Sequence, residues 1–372
     1  MENENRTLYM HIMEDLEHKI SSNILKPGDK LPTELELAKL YNVSRTTSQR
    51  ALAELERKGL IDRKRGKGSF VSSSRSANIH IGSNKIISII LPYSGPSGRL
   101  IEYINGASNY AGKNGYYLTI HTTDNDSNEE REALKGLIKN NEISGAIFYP
   151  TRRDNFDILY LLYLDNYPIV TIDKRFQSLP LSYVVSDNFN GGYKATSFLI
   201  ENGHERIAYI STLPIEDISS IRERFFGYCS ALKEHNVPID TNLFCFDFRC
   251  QNNKADAKSI ETLKHFLKDG VTAIFAEHDY IAISIYQTLQ DMGVRVPEDI
   301  SLMGFDNVEI LEHLDIPLAT INQNFYDIGG MAAKTVIDMI EHGYCDSREN
   351  IIPVELVVGE SVANIKEQKA GL

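Results

Sequence analysis

Apolar residues recur every fourth position at Leu8, Ile12, Leu16 and Ile20, a spacing that aligns them on one side of an α-helix. Pro27-Gly28 would break it. Thr33-Glu34-Leu35-Glu36 has the form of a capping box, the Thr33 hydroxyl taking a free backbone N–H while Glu36 reaches back. It opens a short helix through Ala38 and Leu40 that turns at Asn42. Ser44 caps a second helix over 45–58, with Arg45, Thr46, Gln49 and Arg50 on one side and Ala51, Leu52 and Leu55 on the other. Gly59 suits the position just past its end. Leu60-Ile61-Asp62-Arg63 then reads as a strand and Ser69-Phe70-Val71 as its return, around a glycine-bearing basic tip, Lys64-Arg65-Gly66-Lys67-Gly68. Two helices across a tight turn followed by a basic ribbon predict a winged helix-turn-helix over 1–71. The helix is shaped for a major groove, the wing for phosphates and the adjacent minor groove.

Residues 72–84 are polar and lack apolar periodicity, which predicts a linker. From Lys85 the texture changes. Strands at 86–91, 117–122, 145–148 and 169–172 alternate with helices at 98–114, 129–140 and 156–166. The series restarts with helices at 192–201, 224–234, 255–267 and 281–292 between strands at 207–210, 243–248, 273–276 and 300–304. Strict alternation, with strands apolar nearly throughout, predicts parallel doubly wound α/β sheets covered on both faces. Two runs imply two lobes within 85–365, with a ligand between them at the carboxyl ends of the strands. Residues 319–358 offer two more strands and a helix, expected to return to the first lobe.

Charge sharpens this division. The net charge of -12 hides a split: residues 1–75 hold 14 Lys/Arg against 11 Asp/Glu, and the remainder 25 against 40. Within 41–75 the balance is 9 basic to 3 acidic. A basic head on an acidic body suits binding DNA with the head alone. The 42% apolar content suffices for real cores. Cys229, Cys245, Cys250 and Cys345 have no zinc-type spacing and are expected to be buried free thiols. No basic-then-apolar leader and no run long enough to span a bilayer is present, so a soluble cytoplasmic protein is expected.

The head resembles the GntR family of bacterial regulators. The likeness is carried by Pro27-Gly28-Asp29-Lys30-Leu31-Pro32-Thr33-Glu34, Val43-Ser44-Arg45-Thr46-Thr47, Ala51-Leu52, Gly59-Leu60-Ile61 and Gly66-Lys67-Gly68-Ser69-Phe70-Val71. It departs from the family at Gln49, where Arg is frequent, and at Leu35, sometimes basic; Gln49 is suited to adenine instead of guanine. DNA contacts are expected from Thr33, Glu34, Ser44, Arg45, Thr46, Thr47, Gln49 and Arg50, and in the wing from Lys64, Arg65, Gly66, Lys67 and Gly68.

The body resembles the periplasmic-binding-protein-like effector domain of the LacI/GalR repressors. The residues concerned are Ile172-Asp173-Lys174-Arg175, Ser186-Asp187-Asn188-Phe189-Asn190-Gly191-Gly192, Asn202-Gly203-His204-Glu205-Arg206-Ile207, Arg224-Phe225-Phe226-Gly227-Tyr228, His278-Asp279-Tyr280, Val296-Pro297-Glu298-Asp299-Ile300-Ser301, Gly304-Phe305-Asp306-Asn307 and Thr320-Ile321-Asn322-Gln323. The combination resembles the arabinose-operon repressors of Gram-positive bacteria. That likeness implies a homodimeric repressor on a two-fold operator, released by a small sugar, with L-arabinose or another pentose foremost. It implies cleft-facing positions for Asp173, Lys174, Arg224, His278, Asp279, Asp306 and Gln323, and Tyr93 and Phe325 are candidate stacking rings for the apolar face of a sugar.

Carboxylates, amides and a guanidinium fork suit a ligand whose hydroxyls both donate and accept. The same groups could instead pair only across the lobes, and the two rings could be ordinary packing. His278, where relatives often have Asn, would titrate near physiological pH. His204 reads as turn architecture. Asp124-Asn125-Asp126-Ser127-Asn128 mimics a calcium loop but lacks its glycine and closing carboxylate. No catalytic motif and no cofactor or metal signature is present, so an enzyme is not expected. Two rival readings stay open: a co-repressor ligand such as a purine, and a sugar-binding protein or enzyme with an incidental basic domain.

Overall fold

A computed structural model describes residues 2–21, 24–26, 28–57, 60–64, 67–71, 85–93, 99–140, 142–152, 154–251, 254–309, 314–343 and 347–366. Pro27, Gly59, Arg65, Gly66, Cys345 and the expected linker 72–84 lie outside these residues. The chain divides into two units, Met1–Ser83 with Leu164–Tyr167, and Asn84–Tyr163 with Pro168–Leu372.

The first unit is built from α1 (Glu2–Ser21), α2 (Glu34–Leu40), α3 (Arg45–Arg57), β1 (Ile61–Lys64) and β2 (Gly68–Val71). Ile12 and Leu16 of the expected stripe are buried with Leu31, Leu37, Leu52, Leu55, Ile61 and Val71, while Leu8 stays exposed. In α2 the buried residue is Leu37, whereas Leu40 is exposed. The capping box forms: Thr33 Oγ1 accepts from Glu36 N at 3.3 Å and Thr33 N donates to Glu36 Oε2 at 2.7 Å. The β1–β2 ribbon is antiparallel, with Ile61 opposite Val71 and Lys64 opposite Gly68. Two helices across a turn with a β-ribbon make the winged helix expected from the sequence.

The second unit runs β3 (Ile86–Leu91), α4 (Leu100–Lys113), β4 (Tyr117–Thr122), α5 (Ser127–Lys139), β5 (Gly145–Phe148), α6 (Phe156–Leu164), β6 (Ile169–Ile172) and β7 (Ser182–Ser186). It continues α7 (Asn188–Glu201), β8 (Ile207–Ile210), α8 (Ser219–Glu234), β9 (Phe244–Cys245), β10 (Cys250–Gln251), β11 (Lys254–Ala255), α9 (Ala257–Lys268), β12 (Ala273–Ala276), α10 (Asp279–Asp291) and β13 (Ser301–Met303). It closes with β14 (Thr320–Gln323), α11 (Phe325–His342), β15 (Glu349–Ile352) and β16 (Val354–Val357).

Two parallel sheets result, one of six strands in the order β15-β7-β6-β5-β3-β4 and one of four in the order β13-β12-β8-β9. Ala208, Ile210, Ile274 and Leu302 face one side of the smaller sheet, and Ile207, Tyr209, Ala273, Phe275 and Met303 the other. A sheet buried on both faces requires such strands. Among the described residues the chain passes between the lobes at three points: after β7, after β14 and between β15 and β16. β14 and β16 pair antiparallel, Gln323 opposite Val354.

Several expectations are corrected. β7 is a strand that the alternating pattern does not predict, because only a loop, no helix, separates it from β6. The strand expected over 243–248 is a single 3-10 turn at Thr241–Leu243, capped by Asp240, followed by the two-residue β9. The last segment supplies three strands, one of which, β15, joins the first lobe. α8 begins at Ser219, so Arg224 lies inside the helix. Cys229 and Cys245 are shielded, burial pushing Cys229 up to about 11, but Cys250 is exposed.

Each lobe crosses two helices at glycine. A Cβ on Gly106 of α4 would sit 1.9 Å from Tyr326 O, and one on Gly329 of α11 2.1 Å from Tyr103 O. The second lobe repeats this with Gly192 of α7 against Arg224 O at 2.1 Å and Gly227 of α8 against Phe189 O at 2.0 Å. No side chain fits, so the backbones touch and Tyr103 and Arg224 are held in corresponding places of the two lobes.

Candidate functional site

In the head, Arg45, Thr46, Gln49 and Arg50 form the exposed face of α3, with Thr47, Ser48, Ala51 and Leu52 buried behind them. Glu34 accepts from Arg45 Nε at 3.1 Å and from Arg63 Nη2 at 2.7 Å. The Arg50 guanidinium lies 4.4 Å from the centroid of the Tyr9 ring, and Lys64 Nζ 5.6 Å from that of Phe70. Thr33, Glu34, Arg45, Arg63, Lys64 and Gly68 border a concavity of about 500 Å³. Lys67 is exposed, and Gly68 has φ +113, a backbone conformation that glycine tolerates. Thr47 is a correction. Its hydroxyl is buried 2.7 Å from Ser44 Oγ, and Ser44 Oγ accepts from Thr47 N at 3.1 Å, so both side chains serve the start of α3.

Replacing Lys64 by alanine is expected to weaken binding to any duplex and to lower the slope of log K against log [salt] by about 1, as loss of one phosphate contact does. Fluorescence anisotropy across a salt series reads the slope; an unchanged value would remove Lys64 from the interface.

The body holds a cavity of about 250 Å³ at the carboxyl ends of the strands of both sheets. That is below the roughly 300–1,000 Å³ typical of sites for drug-sized molecules. Tyr93, Asp173, Lys174, Arg224, His278, Asp306, Gln323 and Phe325 all line it. Asp279 does not. Its carboxylate is fully buried beneath the wall, accepting from Thr320 Oγ1 at 2.7 Å and from Val308 N at 3.0 Å. It braces the loop that carries Asp306, and burial, with Asp306 nearby, raises its pKa well above the usual carboxylate range.

Arg224 is the centre of the second-lobe wall. Its Nε donates to Asn188 Oδ1 at 2.8 Å, Nη1 to Glu277 O at 2.5 Å, and Nη2 lies 3.3 Å from Asp306 Oδ1. Its guanidinium covers the Phe305 ring at 3.7 Å. Gln323 Nε2 also donates to Asp306, and Ser186 Oγ donates to Gln323 Oε1. Burial lifts Asp306 to about 6 despite Arg224. Asp173 and Asp306 both have positive φ, 67° and 111°, sparsely populated for residues with a Cβ. Such strain at two cleft carboxylates is the kind that functional sites retain.

In the first lobe Lys174 Nζ sits 3.2 Å from Asp173 Oδ2 and 4.3 Å from the Tyr149 ring centroid. His278 differs from expectation. Its Nδ1 accepts from Ile281 N at 3.3 Å as the cap of α10, which leaves the proton on Nε2. Burial and Arg224 depress its pKa to about 4, so the ring is neutral at physiological pH. His204 is structural as expected, with Nδ1 3.0 Å from Thr272 Oγ1 and Nε2 3.1 Å from Ala363 O. Asp126 of the calcium decoy caps α5.

The sequence reading missed Tyr103, Tyr149, Arg99 and Glu277. Glu277 ends an apolar strand and Tyr103 sits on an amphipathic helix, so neither carried a signal beyond its place at a strand end or on a buried helix face. Arg99 reaches from the first lobe to Asn307 O at 3.2 Å and Asn322 Oδ1 at 2.9 Å. Arg175 makes a further bridge, donating from its backbone to Ser219 Oγ at 3.0 Å and pairing with Glu223 at 2.6 Å. These two arginines hold the lobes together beside the cavity. Among the described residues no group of His, Cys, Asp and Glu could hold a metal ion, and no helix is long and apolar enough to cross a membrane.

Comparison with known proteins bears on both units. Residues 8–71 match the bacterial regulatory proteins of the gntR family and residues 196–362 the periplasmic binding protein-like domain. The arabinose metabolism transcriptional repressor of Geobacillus stearothermophilus is 31% identical over 368 residues, 96% of this chain and 98% of that protein. The HTH-type transcriptional repressor PurR of Aliivibrio salmonicida is 29% identical over 262 residues, 70% of this chain and 77% of that protein. A LacI family transcriptional regulator from Enterococcus faecalis V583, solved with bound ribose, superposes with a TM-score of 0.62 at 26% identity, covering 75% of this chain and 99% of that one.

Proposed function

This chain belongs to the family of the arabinose metabolism transcriptional repressors, and we propose that a free pentose, L-arabinose first, is the signal that lifts it from its operator. It is a sugar-responsive DNA-binding transcriptional repressor, with a GntR-type head and a periplasmic-binding-protein-like effector body. The observation that carries the sugar reading is the 250 Å³ cavity, in which carboxylates, a guanidinium, an amide and a neutral imidazole surround aromatic walls from Tyr103, Tyr149 and Phe325, and the likeness to arabinose repressors favours a pentose. Alternating donors and acceptors suit hydroxyls, and rings suit the apolar face of a sugar. The small volume favours a monosaccharide over anything larger.

Asp173, Lys174, Arg224, His278, Asp306 and Gln323 hold the sugar, with Tyr93 and Phe325 against its apolar face. Arg45, Thr46, Gln49 and Arg50 enter the major groove, and Lys64 and Lys67 contact phosphates. A single winged helix buries too little to select one site in a genome, so the protein acts in the cytoplasm as a homodimer on a two-fold operator. Sugar stabilises the closed cleft, which changes the spacing of the two heads. The loss of operator affinity is bounded by the sugar's preference for the closed state over the open one.

The test is a thermal-shift panel of pentoses, hexoses, phosphorylated sugars and purines on the full chain, followed by titration of each binder against a fluorescent duplex selected from a random library. A pentose is expected to raise the melting point by mass action and to release the duplex. A ligand that instead tightens the duplex complex would make the protein a co-repressor-dependent one. Stabilisation only by hexoses or phosphorylated sugars would overturn the pentose assignment.

A further inference from the structure

The cavity wall carries two buried oxygens that no protein group serves. Tyr103 and Glu277 are both fully buried, and neither Tyr103 Oη nor Glu277 Oε2 has a hydrogen-bond partner. Of the buried side-chain atoms in that condition among the described residues, these two belong to residues that line the cavity. Tyr103 comes from α4 in the first lobe, and Glu277 follows β12 in the second. Buried polar atoms are rarely left unmatched, because each forfeits its hydration without compensation.

Neither oxygen can turn away to find a partner. The Tyr103 ring meets Phe325 edge-on at 5.1 Å and Tyr149 at 6.1 Å, and its backbone is pinned where Gly329 crosses α4. Glu277 Oε1 accepts from Thr212 N at 2.9 Å and from the Thr212 hydroxyl, while its backbone carbonyl accepts from Arg224. The other polar groups of the wall are largely satisfied by one another: Asp306 by Arg224 and Gln323, Asp173 by Lys174. The pair is therefore left to groups that enter the cavity.

We propose that Tyr103 and Glu277 are the specificity-determining pair of the cleft, each gripping a different hydroxyl of one neutral polyol, so that tight binding requires hydroxyls at both places. The inference rests on the sugar reading above. A carboxylate oxygen accepts a hydrogen bond from a hydroxyl and repels a phosphate, and a phenol both donates and accepts. The pair therefore selects an unphosphorylated sugar and rejects the analogue that lacks either hydroxyl.

The test is calorimetric titration of the full chain with L-arabinose, D-ribose and D-xylose, and then with the monodeoxy forms of whichever binds, for wild type, Tyr103→Phe and Glu277→Gln. Each variant is expected to bind the parent sugar roughly 10- to 100-fold more weakly. Each is expected to show no further loss with the one monodeoxy analogue lacking the hydroxyl that it serves, as a double-mutant cycle requires of interacting groups. Thermal unfolding without sugar should leave Tyr103→Phe at least as stable as wild type, since the removed hydroxyl bonds to nothing in the protein. Variants that bind the parent sugar within about threefold of wild type would overturn the proposal. So would an equal penalty with every monodeoxy form, which marks general damage. If no sugar binds wild type, the sugar reading itself falls and this inference with it; if sugar binds but the cycle shows no coupling, only the pair is wrong.

Discussion

Replacing Arg224 by methionine is expected to give a repressor that stays on its operator at sugar concentrations that release wild type, with sugar affinity reduced at least ~100-fold. The side chain offers a rigid fork of donors already aimed at the cavity by Asn188 and the Glu277 carbonyl, and methionine keeps the volume over Phe305 but none of the donors. The substitution should also destabilise the fold by about 3–5 kcal/mol, the usual cost of stranding one partner of a buried ion pair. The stranded partner is Asp306, whose pKa of about 6 already reflects burial. Without the guanidinium that pKa rises further, so the carboxyl is neutral at pH 5.5 and charged only at higher pH. The deficit should therefore be smaller at pH 5.5 than at pH 8. Urea unfolding at the two pH values checks the stability term, and anisotropy of a bound duplex checks release. Sugar-dependent release at wild-type concentrations would sink the central role given to this arginine.

Glu277→Gln should stabilise the unliganded protein, and increasingly so as pH rises. Burial lifts Glu277 to about 7 against an ordinary value of 4.5. A carboxyl whose pKa is raised by folding holds more protons folded than unfolded between those values, so its contribution to stability falls as pH rises from 4.5 through 7. At 1.36 kcal/mol per unit, complete loss is on the order of 3 kcal/mol above pH 7. Glutamine carries no charge, so the variant's advantage should be near zero at pH 4.5 and full by pH 8. His278 contributes with the opposite sign. Its pKa falls from 6.5 to about 4 on burial, so its contribution is present above 6.5 and lost as pH drops through 4. Arg224, Asp173 and Asp306 face this corner and set its field. Melting temperatures of wild type and variant from pH 4.5 to 8 read the difference directly. A constant gap across that range would show that Glu277 is not held near pH 7. A carboxylate retained at such a cost to stability is consistent with selection for the bound state over the empty one.

Much of the site was legible as residue types at particular places. Arg224, Asp306, Gln323, Asp173, Lys174 and His278 line one cavity, as their resemblance to a known effector domain implied. Asp279 carried the same signal and lies beneath the wall, because the residue after a capping His278 opens α10 and turns its side chain toward Thr320 and Val308. Thr47 shows the same limit in the head. It shares a motif with Arg45 and Thr46, but the helical period takes it to the buried side of α3. Tyr103 and Glu277 had no motif at all. Their importance lies in what they fail to bond to, a property of the whole surrounding shell.

The sequence by itself determined the two-part construction, the capped and amphipathic helices of the head, the apolar strands of two doubly wound lobes and the family to which the chain belongs. These follow from periodicity, caps and charge, which act over a few residues and leave their imprint locally. Only the tertiary structure decided that β7 joins the first sheet beside β6, that paired glycines bring Tyr103 and Arg224 to matching places, and that Glu277 is a buried acid near neutrality. Strand order, backbone contact and desolvation depend on groups far apart in the chain, and no local pattern encodes how they meet.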